Sequence, residues 1–459
     1  MWPHVVRPGS PIPFRIWSAG VRRGVGLPVS SRSQCADRPA IPEAWPARWA
    51  GAGLPAGLSL PVKVALARAV RKMPRVNALP GKRIYEPTWD GSGIVRLLSL
   101  CLTGRPTAEA QDRHEQGLDL IGNATFRYSN TALLSVSSVE APTIVSSTDF
   151  DRRLALTLRR LKFPPKLLER VAGITHRRWW APGTSFDDAA IEAGAKALAE
   201  SGIEASEVGL LINTSVTRRN LEPSVAVKIH HGLSLPSSAV NFDLANACLG
   251  FVNGMTLAAN MIDSGQIKYA MIVNGEDAQA TQEATLARLQ RPETTREDFN
   301  REFATLTLGS GAAAAVLGPA DQHPGAHRIV GGVMRAGTER HELCVGGIDG
   351  MATDTKGLLD GGLQLVMDAW QEAQPEWNWG SMDRYVTHQV SNAYTQAIID
   401  AIDLDPDKVP ITFPHWGNVG PASLPMTLAA EAQTLETGNR VLCMGVGSGL
   451  NTAMMEIVW

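Results

Sequence analysis

The 459-residue sequence predicts an α/β protein in which apolar strands alternate with amphipathic helices. Three observations predict it. Continuous apolar runs, VGLLINTSV (208–216) and YAMIVNGE (269–276), have the character of strands buried on both faces. Helical apolar spacing fills stretches between strands, as in SFDDAAIEAGAKALAESG (185–202). The order of elements also repeats: strand, motif and small-residue helix, strand, glycine-rich turn, closing strand, over 208–318 and again over 384–459.

Order is expected from about Ala124. TALLSVSSV (131–139) reads as a strand, and STDFDRRLALTLRRLKFPPKLLERV (147–171) starts on Ser/Asp and keeps helical spacing. The helix over 185–202 is closed by Gly202. After VGLLINTSV, the strand AVNFDLA leads into CLGFVNGMTLAANMIDSG, a helical pattern that stops at Gly265. YAMIVNGE and GSGAAAAVLG (309–318) complete the first set. The second set runs RYVTHQVSN (384–392), HWGNVGPAS (415–423), RVLCMGVGS (440–448) and GLNTAMMEIVW (449–459).

Length exceeds that of one ordinary compact domain, which leaves room for two domains or one large duplicated one. Residues 1–123 differ from the rest. They hold 17 Lys+Arg against 8 Asp+Glu, a net of +9, whereas the remainder carries −11. They also hold 14 of 29 prolines and 5 of 12 tryptophans without periodicity, a composition that builds no core. The expectation is a disordered or spurious N-terminal extension, for instance one translated from a start codon placed too far upstream. A linker and a transit peptide are the other readings. Nucleic-acid binding is not expected, because no recognition motif accompanies the charge. Cys35, Cys101, Cys248, Cys344 and Cys443 show neither CxxC spacing nor an even framework, so no zinc site and a reducing, cytoplasmic compartment are expected. No apolar run approaches the roughly 18–20 residues of a membrane span.

Four residues carry candidate chemistry. Cys248 sits between a strand and a helix start, where the helix dipole would lower its pKa and favour thiolate; the alternative is a buried cysteine acting as a small hydrophobe. His388 lies at a strand end, where α/β sites collect, or is a hydrogen-bonded core histidine. Asn418 lies in a turn between glycines, a place that also suits a purely structural asparagine. Glu222 precedes Pro223 where a helix would start, so it is either functional or a helix-dipole charge. Cys, His and Asn together suit attack on a thioester, with GVGSG (445–449) aiming backbone N–H groups at an oxyanion. A cysteine protease would also order them Cys, His, Asn, but its cysteine has a different neighbour and stands near the chain start.

NACLGF, VTHQVS and GNVGPAS resemble the Cys-His-Asn set of the thiolase superfamily, in the branch of ketoacyl-ACP synthase III. INTSVTRRNLEPS, HQVSNAYT, HWGNVGPASLP, GVGSGLNTAMMEIVW and GITHRRWW resemble the OleA family of acyl-CoA condensing enzymes more closely, from about Ala124 to Trp459. The resemblance implies a five-layer αβαβα thiolase fold with similar halves at 124–318 and 319–459. It implies a homodimer that joins two fatty acyl-CoAs without decarboxylation, giving a 2-alkyl-3-oxo acid, the first step of olefin biosynthesis. Cys248 would carry the acyl group, and His388 and Asn418 would bind the second thioester. Glu222, 26 residues before Cys248, would enter from the other subunit as base, and the N–H groups of Cys248 and Ser448 would form the oxyanion hole. No cofactor or metal is implied, the CoA thioesters being substrates; downstream olefin-pathway enzymes are the expected partners. The alternatives are a decarboxylating synthase III using malonyl-ACP, a thioesterase, and an inactive paralogue.

Overall fold

The computed structural model describes residues 125–347 and 350–459. The extension expected over 1–123 lies outside the described residues. The chain opens with β1 (Thr125–Arg127), β2 (Thr131–Glu140) and β3 (Thr143–Ser146). The helical spacing of 147–171 resolves into three short helices, α1 (Ser147–Arg153), α2 (Ala155–Arg160) and α3 (Leu167–Ala172). Ser146 caps α1 by accepting from Asp149 N, Leu154 leaves helical geometry at φ −96°, ψ 7°, and Pro164–Pro165 cannot continue a helix. β4 (His176–Trp179) pairs antiparallel with β3.

α4 (Phe186–Ser201) has the expected bounds: the Ser185 hydroxyl accepts from Asp188 N, and Gly202 closes the helix at φ 69°. β5 (Val208–Asn213), α5 (Val225–Gly232), β6 (Val240–Asp243), α6 (Gly250–Asp263), β7 (Tyr269–Glu276), α7 (Gln279–Leu289), α8 (Arg296–Glu302) and β8 (Gly311–Pro319) follow. Next come β9 (His327–Ala336), the hairpin β10 (Cys344–Gly347) and β11 (Gly350–Thr353), and α9 (Thr355–Ala373). The chain ends with β12 (Arg384–Thr387), α10 (Asn392–Ile402), α11 (Phe413–Trp416), α12 (Ser423–Glu431), β13 (Arg440–Gly447) and β14 (Asn451–Val458).

The strands pair along the path β6-β5-β7-β8-β2-β9-β14-β13-β12, with β1 beside β9. β5 pairs parallel with β7, β7 antiparallel with β8, and β8 antiparallel with β2. The same sequence of pairings recurs from β12 to β13, β14 and β9. The ladders of the two sets join through β2 and β9, where Ala132 faces Arg328 and Leu133 faces His327.

Alternate residues of each strand point to opposite faces. Leu210, Ile212 and Ile272 share one cluster with Val386, Val441 and Met455, together with Phe251 and Met255 of α6 and Leu424 and Met426 of α12. On the other face, Leu211, Met271 and Val273 pack on α4 and α5, while Leu442, Met444 and Met454 pack on α9 and α10. Each side chain so buried contributes roughly 1.5–3 kcal/mol. With both faces covered, strand ends and the loops beyond them are left for chemistry. Among the described residues, no helix is long and apolar enough to cross a membrane.

Candidate active site

Cys248 occupies a tight turn after β6. Leu244 N donates to Asn213 O (2.9 Å), Leu249 N to Asn246 O (3.0 Å), and Gly250 N to Ala247 O (3.2 Å). Ala247 takes φ +45°, a left-handed conformation that costs an L-residue about 1–2 kcal/mol. Leu249 caps α6 and is fully buried. The glycine-rich end of β13 lies against this turn. A Cβ on Gly447 would come 3.2 Å from Asn246 O and 3.5 Å from Leu249 N, so the close approach suits glycine. The approach brings the turn that starts at Ser448 beside Cys248. Asn246 Nδ2 donates to Asn253 Oδ1 (2.6 Å), and Asn451 Nδ2 reaches Asn246 Oδ1 (3.5 Å), tying turn, helix and β14 together.

The expected fall in the Cys248 pKa is not met. Burial pushes the thiol up to about 12, with smaller contributions from Cys344 and the Glu276 carboxylate. A rise of that size corresponds to about 4 kcal/mol, against roughly 0.3–1 kcal/mol from a helix dipole, so desolvation wins. The resting residue is a thiol, and acyl transfer needs a partner for its proton.

His388 lies one residue past β12, with its N–H donating to Met444 O (2.8 Å) as the parallel ladder to β13 ends. It is 3% exposed, and its Nδ1 has no hydrogen-bond partner. Burial lowers its pKa to about 4, so the imidazole is neutral. Because the unfolded chain takes up a proton near pH 6.5 that the folded chain refuses, the contribution of His388 is complete above pH 6.5. It is lost as pH falls toward 4, by about 3 kcal/mol. The stability difference between the wild-type and His388→Asn proteins is therefore expected to shrink by about that much from pH 7 to pH 4. Denaturant titrations check this; a constant difference contradicts it.

Asn418 is fixed by its backbone. Its N–H donates to Thr307 O (2.9 Å), and Gly309 N donates to Asn418 O (2.9 Å). A Cβ on Gly309 would sit 1.9 Å from Trp416 O, so the two segments touch only because residue 309 is glycine. Gly420 N donates to Asn418 Oδ1 (2.9 Å), which leaves the amide N–H groups of Asn418 as its free end.

Tyr394, in the first turn of α10, lies within electrostatic reach of Cys248, as does Glu276 at the end of β7. A Cβ on Gly420 would lie 3.7 Å from Glu276 Cγ. The Ser448 turn and Tyr394 thus lie toward Cys248, while the Glu276 carboxylate is turned to the loop that follows β5, its Cγ near Gly420, two residues from Asn418. Glu222 stands apart, exposed on the loop between β5 and α5, next to Leu221, which is 97% exposed. Sequence reasoning missed Glu276 and Tyr394. The only signal was an acid closing the otherwise apolar run YAMIVNGE. Among the described residues, no group of His, Cys, Asp and Glu could hold a metal.

The family model "3-Oxoacyl-[acyl-carrier-protein (ACP)] synthase III" matches residues 242–337, and its C-terminal companion matches 373–459. These matches, on a mixed α/β fold, define a condensing acyltransferase of the ketoacyl-synthase III kind. The acyl-CoA:acyl-CoA alkyltransferase of Xanthomonas campestris pv. campestris is 41% identical over 72% of this chain and 99% of its own length. That of Shewanella oneidensis is 34% identical over 73% of this chain and all of its own. A crystal structure of a cysteine-to-serine variant of Xanthomonas campestris OleA, with bound lauric acid and lauroyl-CoA, superposes with a TM-score of 0.71 at 41% identity, covering 72% of this chain and 100% of that one. This chain belongs to the OleA family of acyl-CoA:acyl-CoA alkyltransferases.

Proposed function

We propose that the protein joins two fatty acyl-CoAs head to head by a Claisen condensation that loses no CO₂. Cys248 Sγ attacks the first thioester; its proton passes to a base, and the first CoA leaves as a thiol. The second acyl-CoA binds with its carbonyl on His388 and the free amide N–H of Asn418. Glu222 removes its α-proton, and the resulting carbanion attacks the acyl carbon on Cys248. A C–C bond forms, the Cys248 C–S bond breaks, and the backbone N–H groups of Cys248 and Ser448 hold the oxyanion. Hydrolysis of the remaining thioester releases the second CoA and a 2-alkyl-3-oxo acid, which olefin-pathway enzymes would consume.

Glu222 is the observation that carries this choice. A thioester α-proton is too weakly acidic for a carboxylate in water, so condensation needs a dry site, enolate donors and a committed base. A decarboxylating synthase III makes its carbanion by losing CO₂ and has no use for that base. Neutral His388 and donor-oriented Asn418 suit an enolate oxygen. The lauroyl-CoA bound by the OleA relative supports the substrate class.

The repeated pairing order supports a five-layer αβαβα reading with halves at 124–318 and 319–459, α6 and α12 forming the middle layer. A homodimer accounts for exposed Val216, Leu221 and Val227, and for exposed Val240 on the edge strand β6. The site chemistry suits a reducing cytoplasm, since it depends on a free thiol. The relatives' whole lengths fit within about 72–73% of this chain. A chain shortened to residues 124–459 is therefore expected to keep both activity and dimerisation, measured by CoA release and sedimentation. Loss of both would place residues 1–123 inside the working unit.

The function is tested with myristoyl-CoA as sole thioester. Two CoA per 2-alkyl-3-oxo acid is the expected stoichiometry. A requirement for malonyl-ACP favours the synthase III reading, and free myristate as the sole product favours a thioesterase.

A further inference from the structure

The loop carrying Glu222 is pinned at both ends by carboxylates, one buried (Glu276) and one half-buried (Asp243). The backbone ladder between β5 and β7 ends where Thr214 N donates to Val273 O (2.8 Å). Beyond it, side chains continue the pairing, which is why the strand predicted to reach Val216 stops at Asn213. Gly275 N donates to Ser215 Oγ (3.0 Å). The Glu276 carboxylate accepts from Val216 N (2.8 Å), Thr217 N (3.0 Å), Thr217 Oγ1 (2.6 Å) and Asn274 Nδ2 (3.3 Å). Thr217 Oγ1 in turn accepts from Asp277 N (3.1 Å).

The other end is held by Asp243, the last residue of β6. It accepts from Val225 N (3.0 Å), Ala226 N (2.9 Å) and Asn213 Nδ2 (2.9 Å), and it pairs with the Arg218 guanidinium. Residues 215–218 and 225–226 are thereby fixed, and residues 219–223 project between them, all exposed. Glu276 is 6% exposed and has its four lone-pair directions filled by donors. It cannot take a substrate proton without breaking one of those bonds, so its place is structural support rather than base catalysis.

We propose that Glu276 and Asp243 are positioning residues for condensation: together they hold the Glu222 loop as a rigid arm that enters the Cys248 site of a second copy. The proposal rests on the reading of Glu222 as the base. It separates the half-reactions, because acylation of Cys248 needs no arm. A misplacement of about 1 Å in a reacting group costs on the order of a hundredfold in rate.

Glu276→Gln and Asp243→Asn each keep shape but turn one acceptor oxygen into an N–H donor facing donors. Each is expected to keep the acylation burst of CoA within about threefold while condensation falls about ten- to a hundredfold. Both half-reactions unchanged overturns the proposal. So does equal loss of both in protein that still unfolds cooperatively, since the carboxylates would then serve the Cys248 site. If the carboxamide variants do not fold, Thr217→Val removes one hydroxyl, which donates to Glu276 and accepts from Asp277 N, and is expected to give a smaller selective loss that Thr217→Ser reverses; no selective loss there overturns the clamp.

Mixed dimers locate the effect. The reference pair joins Cys248→Ala protein with Glu222→Ala protein, leaving one composite site. Adding Glu276→Gln to the Cys248→Ala chain, which donates the arm, is expected to lower condensation at least tenfold. Adding it to the Glu222→Ala chain is expected to change nothing. The reverse pattern overturns the proposal. An inactive reference pair overturns the partner-subunit reading alone, and the half-reaction comparison in the single variants then decides the clamp.

Discussion

Cys248→Ala protein is expected to release no CoA from a fatty acyl-CoA and to gain no acyl mass, while unfolding within a few degrees of the wild type. The activity term is total because the acyl group has nowhere to be held. The stability term is small, on the order of 1 kcal/mol, because only a sulfur leaves a partly exposed turn whose shape is set by the buried Leu249 anchor and the Asn246 amide network. Two other cysteines lie among the described residues: Cys443, buried in β13, and Cys344, partly exposed on the β10–β11 hairpin and within electrostatic reach of Cys248. Peptide mass spectrometry after exposure to an acyl-CoA decides among them. An acyl mass on the Cys344 or Cys443 peptide, with none on Cys248, contradicts the assignment.

Glu222→Ala protein is expected to keep the acylation burst and lose the condensed product. Thiol attack uses Cys248 and the oxyanion donors, whereas carbanion formation uses a base, and loss of a general base typically costs about a hundred- to ten-thousandfold. Rapid measurement of CoA release reports the first half-reaction, and the appearance of 2-alkyl-3-oxo acid reports the second. Loss of the burst together with the product would place Glu222 in the acylation site. Normal condensation would return a decarboxylating synthase to first place.

The fold was legible where local signals decide it. The apolar run YAMIVNGE marked β7, and the helical spacing of 185–202 with its stop at Gly202 marked α4 to within a residue. It was less legible where tertiary contacts decide. Nothing local marks the break at Leu154, across which helical spacing persists, whereas Pro164–Pro165 was a local signal for the break before the third helix. VGLLINTSV reads as strand throughout, yet its last two residues pair through side chains instead of a backbone ladder, Gly275 N donating to Ser215 Oγ and Val216 N to the Glu276 carboxylate. The candidate site divides the same way. That Cys248, His388 and Asn418 stand at a strand end or turn could be read from their flanking residues. The environment of Cys248 could not: its dipole argument was local, whereas burial depends on segments distant in sequence, such as β13, whose Gly447 lies against the Asn246–Leu249 turn. The carboxylates that pin the Glu222 loop were invisible for the same reason, since Asp243 and Glu276 serve the loop and helix start that follow β5 rather than their own strands.

Condensation of two intact acyl chains is the central claim, and a carbon label tests it most directly. Myristoyl-CoA labelled at its carboxyl carbon is given as the only thioester, and the product is trapped as its methyl ester before it can decarboxylate spontaneously. The account predicts a 2-alkyl-3-oxo ester carrying two labels, one at the new ketone and one at the carboxyl carbon. A condensed product carrying a single label, or no condensed product until malonyl-ACP is added, would contradict it.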